Sequence, residues 1–159
     1  MINRMSLESI DWNKFYELVS KLAENVRENY KVDAIVGIAR SGAIPAAILA
    51  KIFNVSKFYT VRVSFYDEGK PPKRIFREPK ILNSNLGDLS GMNVLIVDDF
   101  IHTGSTLEVV RKESRLRGAK EVRAAVVAVR EDAKIKPEYY AMAFSGCVLF
   151  PWDLRELTV

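Results

Sequence analysis

Cysteine is almost absent: Cys147 is the only one in 159 residues. That excludes an intrachain disulfide and any zinc site built on several thiolates, and it suits a reducing compartment. Histidine is as rare, with His102 alone. No run of 18 apolar residues exists, so no helix is expected to span a bilayer. Arg4, Glu8 and Asp11 stand where a secretory signal would need its apolar core, and a cytoplasmic location is the expectation. Zinc-finger spacing, an RNA-recognition signature and a basic stripe interleaved with aromatics are all missing, which argues against nucleic acid as the ligand. Lys and Arg exceed Asp and Glu by only 24 to 20, for a net charge of +4, and this excess suits a small anion as well as a polynucleotide. Internal repeats and linker-like breaks are lacking too. With 48% of its residues hydrophobic, the chain reads as one domain, residues 1–159, burying about 70% of its unfolded surface.

What is present centres on residues 94–107, VLIVDDFIHTGSTL. Val94 to Val97 read as a short strand buried on both faces, with Asp98 and Asp99 at its carboxyl end. Thr103, Gly104, Ser105 and Thr106 follow and open a helical run that closes at Gly118. Such a turn offers consecutive backbone N–H groups and hydroxyls at a helix N-terminus, where unpaired amides and the macrodipole favour a phosphate monoester. Two carboxylates would repel that anion unless a hydroxylated group lay between, and a sugar diol, which donates hydrogen bonds that carboxylates accept, fits the gap. No GxxxxGK is present, so this is not a Walker loop.

Residues 11–28 read as an amphipathic helix begun by Ser9 or Asp11, and 33–39 as a buried strand. Arg40, Ser41 and Gly42 then precede a helix over 44–53. A Ser-Gly pair lets backbone approach a ligand and an Arg can fork onto phosphate, so this is a second anion turn. Residues 58–65 read as a strand, and 66–90 as an irregular basic segment, either a lid or a disordered insert, containing a short hairpin around Ile75, Phe76, Ile81 and Leu82. A strand over 122–129, a polar connection, a strand over 139–144 and an irregular apolar tail complete the chain. Strands alternating with helices imply an α/β fold with a mostly parallel sheet and ligands at the carboxyl ends of its strands.

The pattern of hydrophobic residues, Asp98-Asp99, a short apolar pair and a Thr-Gly-x-Thr turn closely resembles the phosphoribosyl-pyrophosphate (PRPP) motif of the type I phosphoribosyltransferases. The tail CVLFPWD, residues 147–153, resembles the hood of the bacterial and archaeal purine (xanthine-guanine or hypoxanthine-guanine) enzymes of that family. The resemblance implies their fold, with a flexible lid over about 66–90 and a small C-terminal hood over about 139–159. It assigns Ile101, His102, Thr103, Gly104, Ser105 and Thr106 to the 5-phosphate, and Arg40, Ser41 and Gly42 to pyrophosphate with the lid cations Lys70, Lys73 and Arg74. Asp98, Asp99 and His102 would be catalytic; Arg130, Cys147 and Val148, the last through its backbone, would face the base; Asp153 would reach a pyrophosphate-bound Mg2+ directly or through water. A homodimer or homotetramer is also implied.

Three positions depart from the family pattern. Cys147 stands where an aromatic residue stacks on the purine, Arg130 where a Lys donates to the exocyclic oxygen, and His102 where an Asp exchanges a proton with N7. A histidine can make that exchange near neutrality, or simply fill the turn. The implied reaction moves ribose 5-phosphate from PRPP to a nucleobase, giving a nucleoside monophosphate and pyrophosphate in purine salvage. A donor at Arg130 suits a 6-oxopurine (hypoxanthine, guanine or xanthine) better than adenine, which presents an amino group there. Adenine transfer, and a non-catalytic PRPP-sensing regulator, stay as alternatives.

Overall fold

The computed structural model describes residues 6–66, 69, 71 and 73–153. Its centre is a six-stranded sheet of β2 (Ala34–Ala39), β3 (Phe58–Ser64), β4 (Lys80–Ser84), β5 (Asn93–Ile101), β6 (Glu121–Arg130) and β7 (Tyr139–Phe144), in spatial order β4-β3-β2-β5-β6-β7. All pairings are parallel except β3 with β4 at one edge. The chain leaves β2 toward β3 and β4, then returns to lay β5 on the other side of β2. The two anion turns therefore leave the carboxyl ends of neighbouring strands where the winding reverses, the place at which open α/β sheets form a crevice.

Each strand sends alternate residues to opposite faces, so the apolar runs build two cores. Ile35, Leu95, Val97, Ala125 and Val127 pack under α1 (Trp12–Asn29) and α2 (Ala43–Phe53). Val36, Ile38, Ile96, Ala124 and Val126 pack under Leu107 and Val110 of α3 (Ser105–Leu116) and under Leu86 and Leu89. Asp11 caps α1 by accepting from the Lys14 N–H at 2.8 Å, and Gly118, at φ +89°, follows α3 in the left-handed region.

Four sequence expectations change. The central strand is nine residues long and carries Asp98 and Asp99 within it, because it continues to pair with β6 as far as Ile101. The hairpin near the lid is formed by β4 with β3, together with a bridge between Tyr66 and Arg74, rather than within residues 66–90 alone. Leu86 and Leu89 beyond it are buried, so the irregular part is shorter than the basic stretch suggested. The tail is not irregular throughout, since β8 (Cys147–Leu149) pairs in parallel with an unanticipated β1 (Leu7–Ser9). No helix among the described residues is long and apolar enough to cross a membrane.

Candidate functional site

Strand β5 delivers the acidic pair and the phosphate turn as one rigid unit. A cavity of about 340 Å3 opens over residues Phe100 to Leu107, with Asp98 at its floor and Phe65, Tyr66 and Arg74 on the opposite wall. Gly104 sits at φ +92° ahead of α3, and its bare Cα lies against the Ile135 backbone, where a Cβ would collide. Thr103 Oγ1 lies 2.9 Å from Ser105 Oγ and 3.3 Å from the Ser105 N–H that it accepts. Hydroxyls and the N-terminal amides of α3 thus converge on one small concavity. Arg74 is the lid cation brought there, its guanidinium 4.8 Å above the Phe65 ring.

The second turn meets the first across the crevice. After a cis Ala39–Arg40 peptide, the N–H groups of Ala43 and Ile44 return to the carbonyls of Arg40 and Ser41 at 3.1 and 3.0 Å and start α2. Gly42 is buried against Asp98, so close to its carboxylate and backbone that a side chain would not fit. Arg40 is exposed and Ser41 half-buried beside it, and neither lines the 340 Å3 cavity. Lys73 lies on the exposed lid, and Lys70 lies outside the described residues.

The carboxylates are poised rather than neutralised. Asp98 Oδ1 accepts the Asp99 N–H at 2.9 Å and Asp99 Oδ1 accepts the Phe100 N–H at 2.8 Å. Burial first, then the neighbouring Asp99 charge, pushes Asp98 well above the ordinary carboxylate range. Asp99 is raised as well, chiefly by burial, with Asp153 adding to it. Asp153 is thus close enough to Asp99 for the two carboxylates to feel each other. Among the described residues no group of three or more His, Cys, Asp or Glu could hold a metal, so a cation would need oxygens from a ligand as well. Asp153 itself closes the last turn, its Oδ2 accepting the Phe150 N–H at 2.9 Å.

On the acceptor side, His102 is exposed, with its ring edge-on to Phe100 at 4.5 Å. Partial desolvation and then the charge of Arg130 lower its pKa from the ordinary histidine value, which favours the neutral imidazole. Arg130 gives one edge of its fork to Asp132, Nε to Oδ1 at 2.8 Å and Nη2 to Oδ2 at 2.6 Å, a partner that the sequence reading did not single out. Cys147 is half-buried in β8, near enough to influence the charge of Arg130. Its N–H donates to the Ser6 carbonyl, and the Leu149 carbonyl accepts from Ile10. Backbone groups alternate in direction along a strand, so those of Val148 point away from β1. Phe150 is buried and Trp152 stacks on it at 4.9 Å while meeting Phe15 edge-on, which makes both of them core. Phe65, Tyr66 and Phe100 line the cavity without having been singled out; the aromatic character of all three beside the two motifs was the available signal.

Known proteins share this fold and sequence pattern. Residues 8–157 match the model of the phosphoribosyl transferase domain. The chain is 30% identical over 155 residues to xanthine-guanine phosphoribosyltransferase of Gluconobacter oxydans, covering 95% of this chain and 87% of that one. The crystal structure of a purine phosphoribosyltransferase from Pyrococcus horikoshii superposes with a TM-score of 0.81 at 36% identity, covering 92% of this chain and 93% of that one. A Neisseria gonorrhoeae protein solved with bound ppGpp gives a TM-score of 0.79 at 25% identity, covering 95% and 91%. With a match running through both anion turns, the acidic pair and the tail, the chain belongs to the phosphoribosyl transferase family.

Proposed function

We propose that this protein is a purine phosphoribosyltransferase that moves ribose 5-phosphate from PRPP to a 6-oxopurine and releases pyrophosphate. The observation that carries the reading is the adjacency of three parts: the hydroxyl-lined turn on the α3 N-terminus, the Asp98-Asp99 pair one turn away, and Gly42 of the second turn packed on Asp98. The named activities of the Gluconobacter and Pyrococcus relatives support the same substrate class.

In this reading Thr103, Gly104, Ser105, Thr106 and the α3 amides bind the 5-phosphate, with Ile101 and His102 shaping the turn, while Arg74 of the lid serves the pyrophosphate. Asp98 and Asp99 accept from the ribose hydroxyls and place negative charge beside the sugar cation that develops. Arg40, Ser41 and Gly42, with Lys70 and Lys73 of the lid, take the departing pyrophosphate. A bound Mg2+ would supply charge neutralisation on that leaving group, held by its oxygens and by the acids, with Asp153 in reach of the same potential. The C1–oxygen bond to pyrophosphate breaks as a purine ring nitrogen bonds to C1, and neutral His102 receives the proton displaced from the purine. Arg130, held side-on by Asp132, keeps Nη1 for an exocyclic oxygen, the Val148 backbone meets the base edge, and Cys147 offers little stacking surface. Lid closure keeps water from the sugar. The proposed setting is purine salvage in the cytoplasm, by a homodimer or homotetramer.

The test is pyrophosphate release from PRPP and Mg2+ with each nucleobase in turn. Release with hypoxanthine, guanine or xanthine is expected. Release with adenine alone would move the acceptor, and tight PRPP binding without release from any base would replace enzyme with sensor.

A further inference from the structure

Arg111 is a long cation in an apolar setting. It lies on the face of α3 that buries Leu107, Val110 and Ser114, and it is 8% exposed. Its Nη2 donates to both oxygens of Glu138, at 2.7 Å each. Glu138 Oε2 also accepts the N–H of Ala124 in β6 at 2.7 Å. β7 begins only at Tyr139, opposite Ala125, so the carboxylate takes the place of a strand neighbour that β6 lacks at that level.

Holding the Arg111 guanidinium out of water is costly, and Glu138, whose side chain is 39% exposed, offsets that cost only in part. Arg111 Nε is moreover buried with no partner, a further cost. Stability is a weak account of such a pair, whereas fixed geometry is a good one. Glu138 ends the connection between β6 and β7, residues 131–138, and that connection backs the phosphate turn: the Ile135 N–H donates to the Thr103 carbonyl at 3.0 Å, and Ile135 covers the bare face of Gly104. The same connection begins with the Arg130–Asp132 pair.

We infer that Arg111 and Glu138 are positioning residues that lock the 131–138 connection onto α3, and so hold the turn at Thr103 and Gly104 in its phosphate-binding shape. This rests on the proposed transferase reading. Arg111 anchors the helix that carries the amides, Glu138 anchors the strap that presses on their turn, and neither touches the ligand. Loosening the strap frees the Thr103 carbonyl and Gly104 and costs affinity for the phosphorylated sugar, while the groups that perform the transfer stay in place.

The experiment compares wild type with Glu138→Gln, which can still accept from Ala124, and with Arg111→Met, which keeps the packing. Calorimetry with ribose 5-phosphate as the probe should show Kd rising about tenfold in each, as expected for a group displaced by a fraction of an ångström. The KM for PRPP should rise in parallel while kcat and the KM for the base stay within about twofold, and the double variant should cost no more than either single change. A lower melting temperature with unchanged Kd would overturn the inference and leave the pair merely structural. Should Arg111→Met not fold, Glu138→Gln decides alone, being an isostere at a part-exposed position. Wild type that neither binds ribose 5-phosphate nor turns over PRPP would instead overturn the transferase reading.

Discussion

The two halves of this crevice, donor and acceptor in the proposed reading, are built in different ways. The turn at Thr103 to Thr106, the turn at Arg40 to Gly42 and the acidic pair sit on β2 and β5, interior strands whose runs Ala34 to Ile38 and Val94 to Val97 are buried. They offer mostly backbone groups and short side chains. The proposed acceptor half is assembled from exposed His102, from Arg130 at the end of β6 and from Cys147 on a three-residue strand that, among the described residues, pairs with β1 alone. Phosphate recognition by amides tolerates little change in the fold beneath it and is read from a contiguous stretch. Base recognition by side chains from separate elements can be retuned one residue at a time, and two of the three departures from the family pattern, Arg130 and Cys147, lie on such elements, while His102 stands in the phosphate turn itself.

The contrast breaks most visibly at the donor side. Asp99→Ala should lower kcat about a hundredfold or more, because a preorganised charge beside the developing sugar cation is removed while its supporting strand remains; steady-state rates at saturating PRPP measure it. Near-normal turnover would mean that the acids do not hold the reacting sugar.

At the acceptor side effects should be smaller and separable. Cys147→Trp should lower the KM for the purine by about tenfold, since stacking on an aromatic ring is worth roughly 1–3 kcal/mol per base, and should leave the KM for PRPP unchanged. A change in PRPP affinity instead would show that the hood and the donor turns are mechanically one unit.

The finest probe is pH. His102 has its pKa lowered by burial and by Arg130, so it is neutral and able to take a proton at pH 7 and is lost as an acceptor when pH falls through that lowered value. The rate with limiting purine should therefore be flat near neutrality and fall on the acid side below pH 6.5. Arg130→Met removes one cause of the lowering and should move the acid limb, and the NMR titration of this single histidine, upward together. An acid limb that persists in His102→Ala would assign it to another group.

Much of the donor site was legible because its information is local. The alternation of apolar runs with Gly-bearing turns placed β2, α2 and α3 nearly to the residue, and two carboxylates next to a Thr-Gly-Ser-Thr turn suggested a phosphorylated sugar as their ligand. The extension of β5 through Asp98 and Asp99 was not legible, since polar residues in a strand are kept there by pairing with β6. Asp132 was passed over because an acid two residues beyond an arginine in a polar connection is ordinarily a solvated charge.

The sequence by itself determined α1, α2, α3, β2, β3, β6 and β7 and the glycine-bearing turns after β2 and β5, because hydrophobic period and turn chemistry act over a few residues. Only the tertiary structure decided that Leu7 to Ser9 would pair with Cys147 to Leu149, that β4 would run antiparallel along the edge, and that Glu138 would reach both Arg111 and Ala124. Those contacts join residues distant along the chain, and their stability comes from backbone groups and charges that must find partners once the core has excluded water.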